Sequence, residues 1–135
     1  MSIYAAPIRE MKFVINELIG LDQISALPGC EEVTPDLLEA VLEEAGKFAT
    51  GILDPLNRGG DQVGATLKNH VVTAAPGFKE AFAQYAQGGW TGLDCDPRYG
   101  GQGLPHIVSA KTSEIWNSAN MAFALCPMLT TGVVA

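Results

Sequence analysis

The sequence predicts an all-α fold with at most one short β-hairpin near residues 64–74. Apolar residues recur at three- and four-residue spacing in four separate stretches, and capping and breaking signals bracket those stretches. Strand-like alternation is confined to one short run. With 135 residues and 47% hydrophobic content, the chain can bury a single core.

Pro7 suits a first helical turn, and Met11, Val14, Ile15, Leu18 and Ile19 follow at helical spacing until Gly20 offers a stop. The segment LDQISALPGCEEV then reads as a loop or broken turn around Pro28 and Gly29. Thr34, Pro35 and Asp36 form a strong start signal: a capping hydroxyl, a fixed φ, and a carboxylate at the positive end of the helix dipole. Leu37, Val41, Ala45, Phe48 and Ile52 make one stripe on this second helix, and Leu38, Leu42, Ala49 and Leu53 make its neighbour. So wide an apolar face predicts a helix lying between others. Glu43 stands four residues before Lys47, as a surface pair requires, and Pro55 with NRGGD is expected to end the element.

GATL and HVVT, flanking Lys68 and Asn69, supply the hairpin. A third helix is expected from about Pro76 to Gln87, with Phe78, Ala81, Phe82 and Tyr85 on one face and Gly88-Gly89 as its end. After a crowded connector, Val108, Thr112, Ile115, Trp116, Ala119 and Phe123 continue at helical spacing until Pro127 interrupts them.

Composition narrows the function. Eight Lys and Arg against 15 Asp and Glu give a net charge of -7, which repels phosphate backbones and anionic lipid. No nucleic-acid partner is expected. The final MAFALCPMLTTGVVA is too short to span a membrane, which takes about 20 apolar residues, so no membrane partner is expected either. Cys30, Cys95 and Cys126 are odd in number and far apart, and the N-terminus has no uninterrupted apolar run; both features fit a reduced, cytoplasmic protein.

Motifs for chemistry are mostly missing. GQGLPH has two glycines of a dinucleotide fingerprint but His106 where the third belongs, and Gly46-Lys47 lacks the upstream glycine of a phosphate loop. His70 and His106 stand in no zinc-protease frame and no serine lies in a nucleophile elbow, so spacing yields neither a metal site nor a catalytic set. The glutamates around the second helix start read as solvated groups that complement the helix dipole.

The connector itself is more specific. Trp90, Gly92, Leu93, Pro97, Tyr99, Gly100, Gly101, Gln102, Gly103, Leu104 and Pro105 resemble the signature GW-GL---P--YGGQGLP of the N-terminal helical domain of acyl-CoA dehydrogenases. APGFKEAF is similar to the PPGFKEAY segment before that signature, and ILDPLNRGGDQVG to the helix end and turn upstream of it. YAAPIREMKFVINEL resembles an extra segment of the large subgroup that includes methylthioalkanoyl-CoA dehydrogenases. Asp94-Cys95 inside the signature and Ala75 in place of a proline are departures.

The resemblance implies a division into residues 1–33, an N-terminal extension with one helix, and 34–135, the family's helical domain cut short at its C-terminal end. It implies a parent enzyme that desaturates an acyl-CoA thioester between the α and β carbons, using FAD and passing electrons to electron-transfer flavoprotein. In that family the flavin and the catalytic glutamate belong mainly to later domains, so no catalytic or cofactor-binding residue carries over and no FAD is expected tightly bound to this chain. The helix after the signature forms part of the acyl pocket, which places Phe123, Cys126 and Leu129 near the acyl chain. The connector's glycines are expected to let the backbone approach neighbouring helices, with Trp90 and Tyr99 filling the gap. An acyl-CoA oxidase, or a non-catalytic helical interaction module on the same scaffold, fits the same residues. The apolar ending, with Leu125, Met128, Leu129, Val133 and Val134, reads as a cut surface and predicts a homo-oligomer: burying those side chains is worth roughly 10 kcal/mol as an upper bound.

Overall fold

The computed structural model describes residues 4–134. The outer limits of the two expected units, residues 1–3 and 135, lie outside the described residues. The order is α1 (Ile8–Phe13) continuing as a π-helical turn (Val14–Ile19), α2 (Leu21–Ser25), α3 (Pro35–Phe48), a second π-helical turn (Ala49–Leu53), α4 (Asp54–Val63), β1 (Thr66–Lys68), β2 (Val71–Thr73), α5 (Phe78–Gln87), two 3-10 turns (Trp90–Gly92 and Pro97–Tyr99) and α6 (His106–Val134). The fold is mostly helical with one short hairpin, as the periodicity predicts.

Met11 and Ile15 of the first helix pack into the core, and Gly20 ends it at φ 83, a conformation open mainly to glycine. The expected loop after it contains α2, whose Leu21 is buried; Ser25 Oγ donates to the carbonyls of Leu21 (3.1 Å) and Val33 (2.7 Å) and fastens the turn. Thr34 caps α3 as predicted, its Oγ1 accepting from Leu37 N at 3.2 Å. Helix α3 contacts α1 on one side and α6 on the other, which explains its wide apolar face. Leu38, Leu42, Ala45, Ala49 and Leu53 are buried, and Val41, Phe48 and Ile52 pack against them. Lys12 of α1 pairs with Glu39 of α3. Lys47 pairs with Glu44 at 2.6 Å and not with Glu43, because the neighbour three residues back is equally reachable on a helix surface.

Two expected stops do not stop their helices. The second helix runs through Pro55 to Val63. The π-helical turn Ala49–Leu53 resets the hydrogen-bond ladder, so Pro55 falls in the first turn of α4, where a missing N–H leaves no gap. Tyr4 is tied to this turn: Thr50 Oγ1 donates to its carbonyl at 3.1 Å, and its N–H donates to Asp54 Oδ2 at 3.2 Å. In α6 the break falls at Asn120 (φ -158, ψ 88), not at Pro127, which sits inside the second half. Asn120 supplies the capping signal there: its Oδ1 accepts from Phe123 N at 3.0 Å, three residues on.

The strands pair antiparallel, Leu67 opposite Val72, and the turn is Asn69-His70, both at positive φ. It therefore lies one residue later than the expected Lys68-Asn69, because such a two-residue turn needs left-handed backbone at both positions and Asn tolerates it better than Lys. The third helix begins at Phe78, since Gly77 before it is left-handed (φ 85).

The connector folds back on itself. Gln102 N donates to Gly92 O (2.8 Å), Gly103 N to Cys95 O (3.0 Å) and Leu104 N to Leu93 O (2.8 Å). A Cβ on Gly101 would lie 2.0 Å from the Cys95 carbonyl oxygen, so the glycine serves close approach within the loop itself and not approach to neighbouring helices. Trp90 does fill a gap, edge-on to Trp116 with ring centroids 5.2 Å apart. Tyr99 fills none: it is 85% exposed, because the 3-10 turn Pro97–Tyr99 projects it outward from the closed loop.

Candidate functional site

An apolar cavity of about 480 Å³ lies between the end of α4, the base of the hairpin, α5 and the second half of α6. Its size falls within the roughly 300–1,000 Å³ of small-molecule sites. Four-residue spacing on α5 puts Phe78 and Phe82 on the cavity side of that helix, and Phe123 faces both, with ring centroids 6.3 and 6.4 Å away. Ala74 and Ala75 from the hairpin base and Gly60 from α4 keep the opposite wall thin. Lys79 is the one charged residue of the lining.

Asn120 aims the α6 wall. It is fully buried; its side chain caps the second half of the helix, and its Nδ2 donates to the Leu53 carbonyl at 3.0 Å. The amide thus fixes the direction in which Ala122, Phe123 and Cys126 reach the cavity. Of Phe123, Cys126 and Leu129, which the resemblance implies lie near an acyl chain, Phe123 and Cys126 line the cavity together. Leu129, 69% exposed, stands off the lining on the open side of α6. The sequence reading missed Asn120 because it falls within the apolar period of α6; an Asn directly before MAF is the capping signal that would have found it.

A continuous run of rings joins connector and cavity. Trp90 meets Trp116, Trp116 meets Tyr85 at 5.7 Å, Tyr85 meets Phe123 at 5.6 Å, and Phe123 meets Phe78. Burial, with the Asp94 charge adding to it, pushes the Tyr85 phenol up to about 12, so it stays neutral at ordinary pH.

Asp94, His106 and Ser109 also come together where the connector enters α6. His106 Nδ1 lies 2.9 Å from Asp94 Oδ2, and Ser109 Oγ donates to the same oxygen at 2.5 Å. Burial drives the Asp94 carboxyl upward, but hydrogen bonds from Ser109 and His106 outweigh it and hold the group below its usual range. A catalytic relay needs the serine hydroxyl to give its proton to the imidazole; here the hydroxyl gives it to the carboxylate. The cluster therefore anchors the first turn of α6.

The cavity does not suit a flavin dinucleotide. Lys79 is the only charged residue of its lining, whereas a pyrophosphate calls for several donors or cations. No helix among the described residues is long and apolar enough to cross a membrane.

No family model matches the chain. It is 41% identical over 131 residues to 3-methylmercaptopropionyl-CoA dehydrogenase of Ruegeria pomeroyi, a match that covers 97% of this chain and 22% of the relative. The chain therefore spans about a fifth of that protein's length. Along nearly its whole length, this chain is related in sequence to an acyl-CoA dehydrogenase, as the connector motif implies.

Proposed function

We propose that the chain forms part of the acyl-binding wall of a flavin-dependent acyl-CoA dehydrogenase, which desaturates an acyl-CoA thioester. The observation that supports this best is the cavity formed by Phe78, Phe82 and Phe123, apolar but for Lys79, in a chain related to an enzyme named for an acyl-CoA substrate. The lining carries no carboxylate to take the α-proton. Its work is to bind the acyl chain and keep water from it. In this reading FAD and the base are held outside this chain, electron-transfer flavoprotein is the acceptor, residues 1–33 are an extension and 34–135 the helical domain.

Phe123 and Cys126 touch the acyl chain directly, and Leu129 belongs to the same helix face where the rest of the enzyme covers it. Copies of the chain by themselves cover that face by self-association, through Met121, Leu125 and Met128, all exposed. Static light scattering is expected to show a mass above that of a monomer.

The test uses the protein that carries this segment together with its flavin. Ala122→Trp fills the cavity from α6 and is expected to raise KM for long-chain thioesters in a dye-reduction assay, with little change for the shortest. An unchanged chain-length profile sinks the reading. The isolated chain is expected to reduce no dye.

A further inference from the structure

Two adjacent glycines of α4 have different surroundings. A Cβ on Gly59 would meet nothing within 4 Å, whereas one on Gly60 would lie 2.7 Å from Cε2 and Cζ of Phe78. Gly60 and Phe78 both line the apolar cavity. A methyl at position 60 closes the side of the ring that faces α4, and Phe123, its centroid 6.3 Å away, bounds another. The remaining room is the cavity. We infer that Gly60 sets the depth of the cavity: bare of a side chain, it lets the Phe78 ring lie back against α4 and leaves the space that an unbranched apolar chain fills.

This rests on reading the cavity as an apolar-chain site, and it names the residue pair that limits chain length. An interior glycine is a poor helix residue, so a glycine kept where its Cβ would strike a cavity-lining ring is explained by the clearance it gives. Straight-chain primary alcohols, from butanol to dodecanol, isolate chain length from head-group charge.

Their binding to the 135-residue chain is measured by titration calorimetry below micelle-forming concentrations. Each methylene that enters the cavity is worth about a fourfold gain in affinity, so affinity is expected to climb with length and then level off. Gly60→Ala is expected to lower the length at which it levels off and to weaken the longest probe on the order of tenfold, leaving the shortest unchanged. Gly59→Ala, with the same helix-propensity change, is expected to leave the series alone. Phe78→Leu with Gly60 in place is expected to raise the limit, and Gly60→Ala added to Phe78→Ala is expected to shift nothing further.

An unmoved limit in Gly60→Ala, an equal shift in Gly59→Ala, a shift that survives Phe78→Ala, or a wild type that binds no alcohol would each overturn the inference. Phe78→Leu keeps the test decisive if Gly60→Ala does not fold. The wall reading is judged separately: Ala122→Trp altering thioester kinetics while Gly60→Ala leaves the alcohol series unmoved would sink the depth inference alone.

Discussion

The two halves of α6 both carry apolar residues at helical spacing and sit in opposite environments. Before Asn120, Val108, Ile115, Trp116 and Ala119 are buried, and of the polar residues only Thr112 is buried with them. After it, only Phe123 and Ala124 are buried, while Leu125, Met128, Leu129 and Val133 are exposed. The first half obeys the rule that an amphipathic stripe marks a core face; the second is apolar around most of its circumference, so one buried stripe leaves the rest in solvent. Helical spacing therefore identifies the element in both halves, but identifies the buried side only where polar residues mark the other.

Substitutions measure that contrast. Ile115→Ala, at a fully buried position, is expected to cost about 2–5 kcal/mol in chemical denaturation, through lost burial and the cavity left behind. A smaller loss would mean that the first half is not the anchor it looks to be. Asn120→Ala removes the cap of the second half and strips a donor from the Leu53 carbonyl; a loss of about 1–3 kcal/mol is expected, with reduced helical circular dichroism.

The entrance to the first half can be tested by pH. Asp94 has its folded pKa held below its unfolded one, so its contribution to stability is present above the unfolded value of about 3.9 and is lost as pH falls through the lower folded value. The stability difference between the wild type and Asp94→Asn is expected to be flat near neutrality and to close in acid. A gap that persists at low pH would mean that the cluster does not hold α6 through the charge. Leu129→Ala, in the exposed half, is expected to change monomer stability by no more than about 0.5 kcal/mol, since little of the side chain leaves water.

Much of the fold was legible where a signal is local. The Thr34 cap, the stop at Gly20, the double stripe of α3 and the hairpin all follow from neighbouring residues and stand in the structure. Pro55 misled because a π-helical turn before it places it where the ladder does not need its N–H; at Pro127 the helix runs on, the break in α6 falling earlier, at Asn120. Of the cavity, spacing alone indicated one wall, through Phe78 and Phe82 on a shared face. Its α6 wall depends on Asn120 reaching Leu53, a contact 67 residues apart in sequence that no periodicity encodes. The aromatic run from Trp90 to Phe78 is likewise assembled from three segments, the connector, α5 and α6.

The connector is closed by main-chain groups, and that has a practical side. Its shape is set by the Gly92, Leu93 and Cys95 carbonyls and by the clearance at Gly101, while Tyr99 at its tip touches little else. A fluorophore or affinity handle carried at position 99 would ride on a stiff mount without disturbing the interior, giving a fixed vantage from which to watch another protein surface arrive.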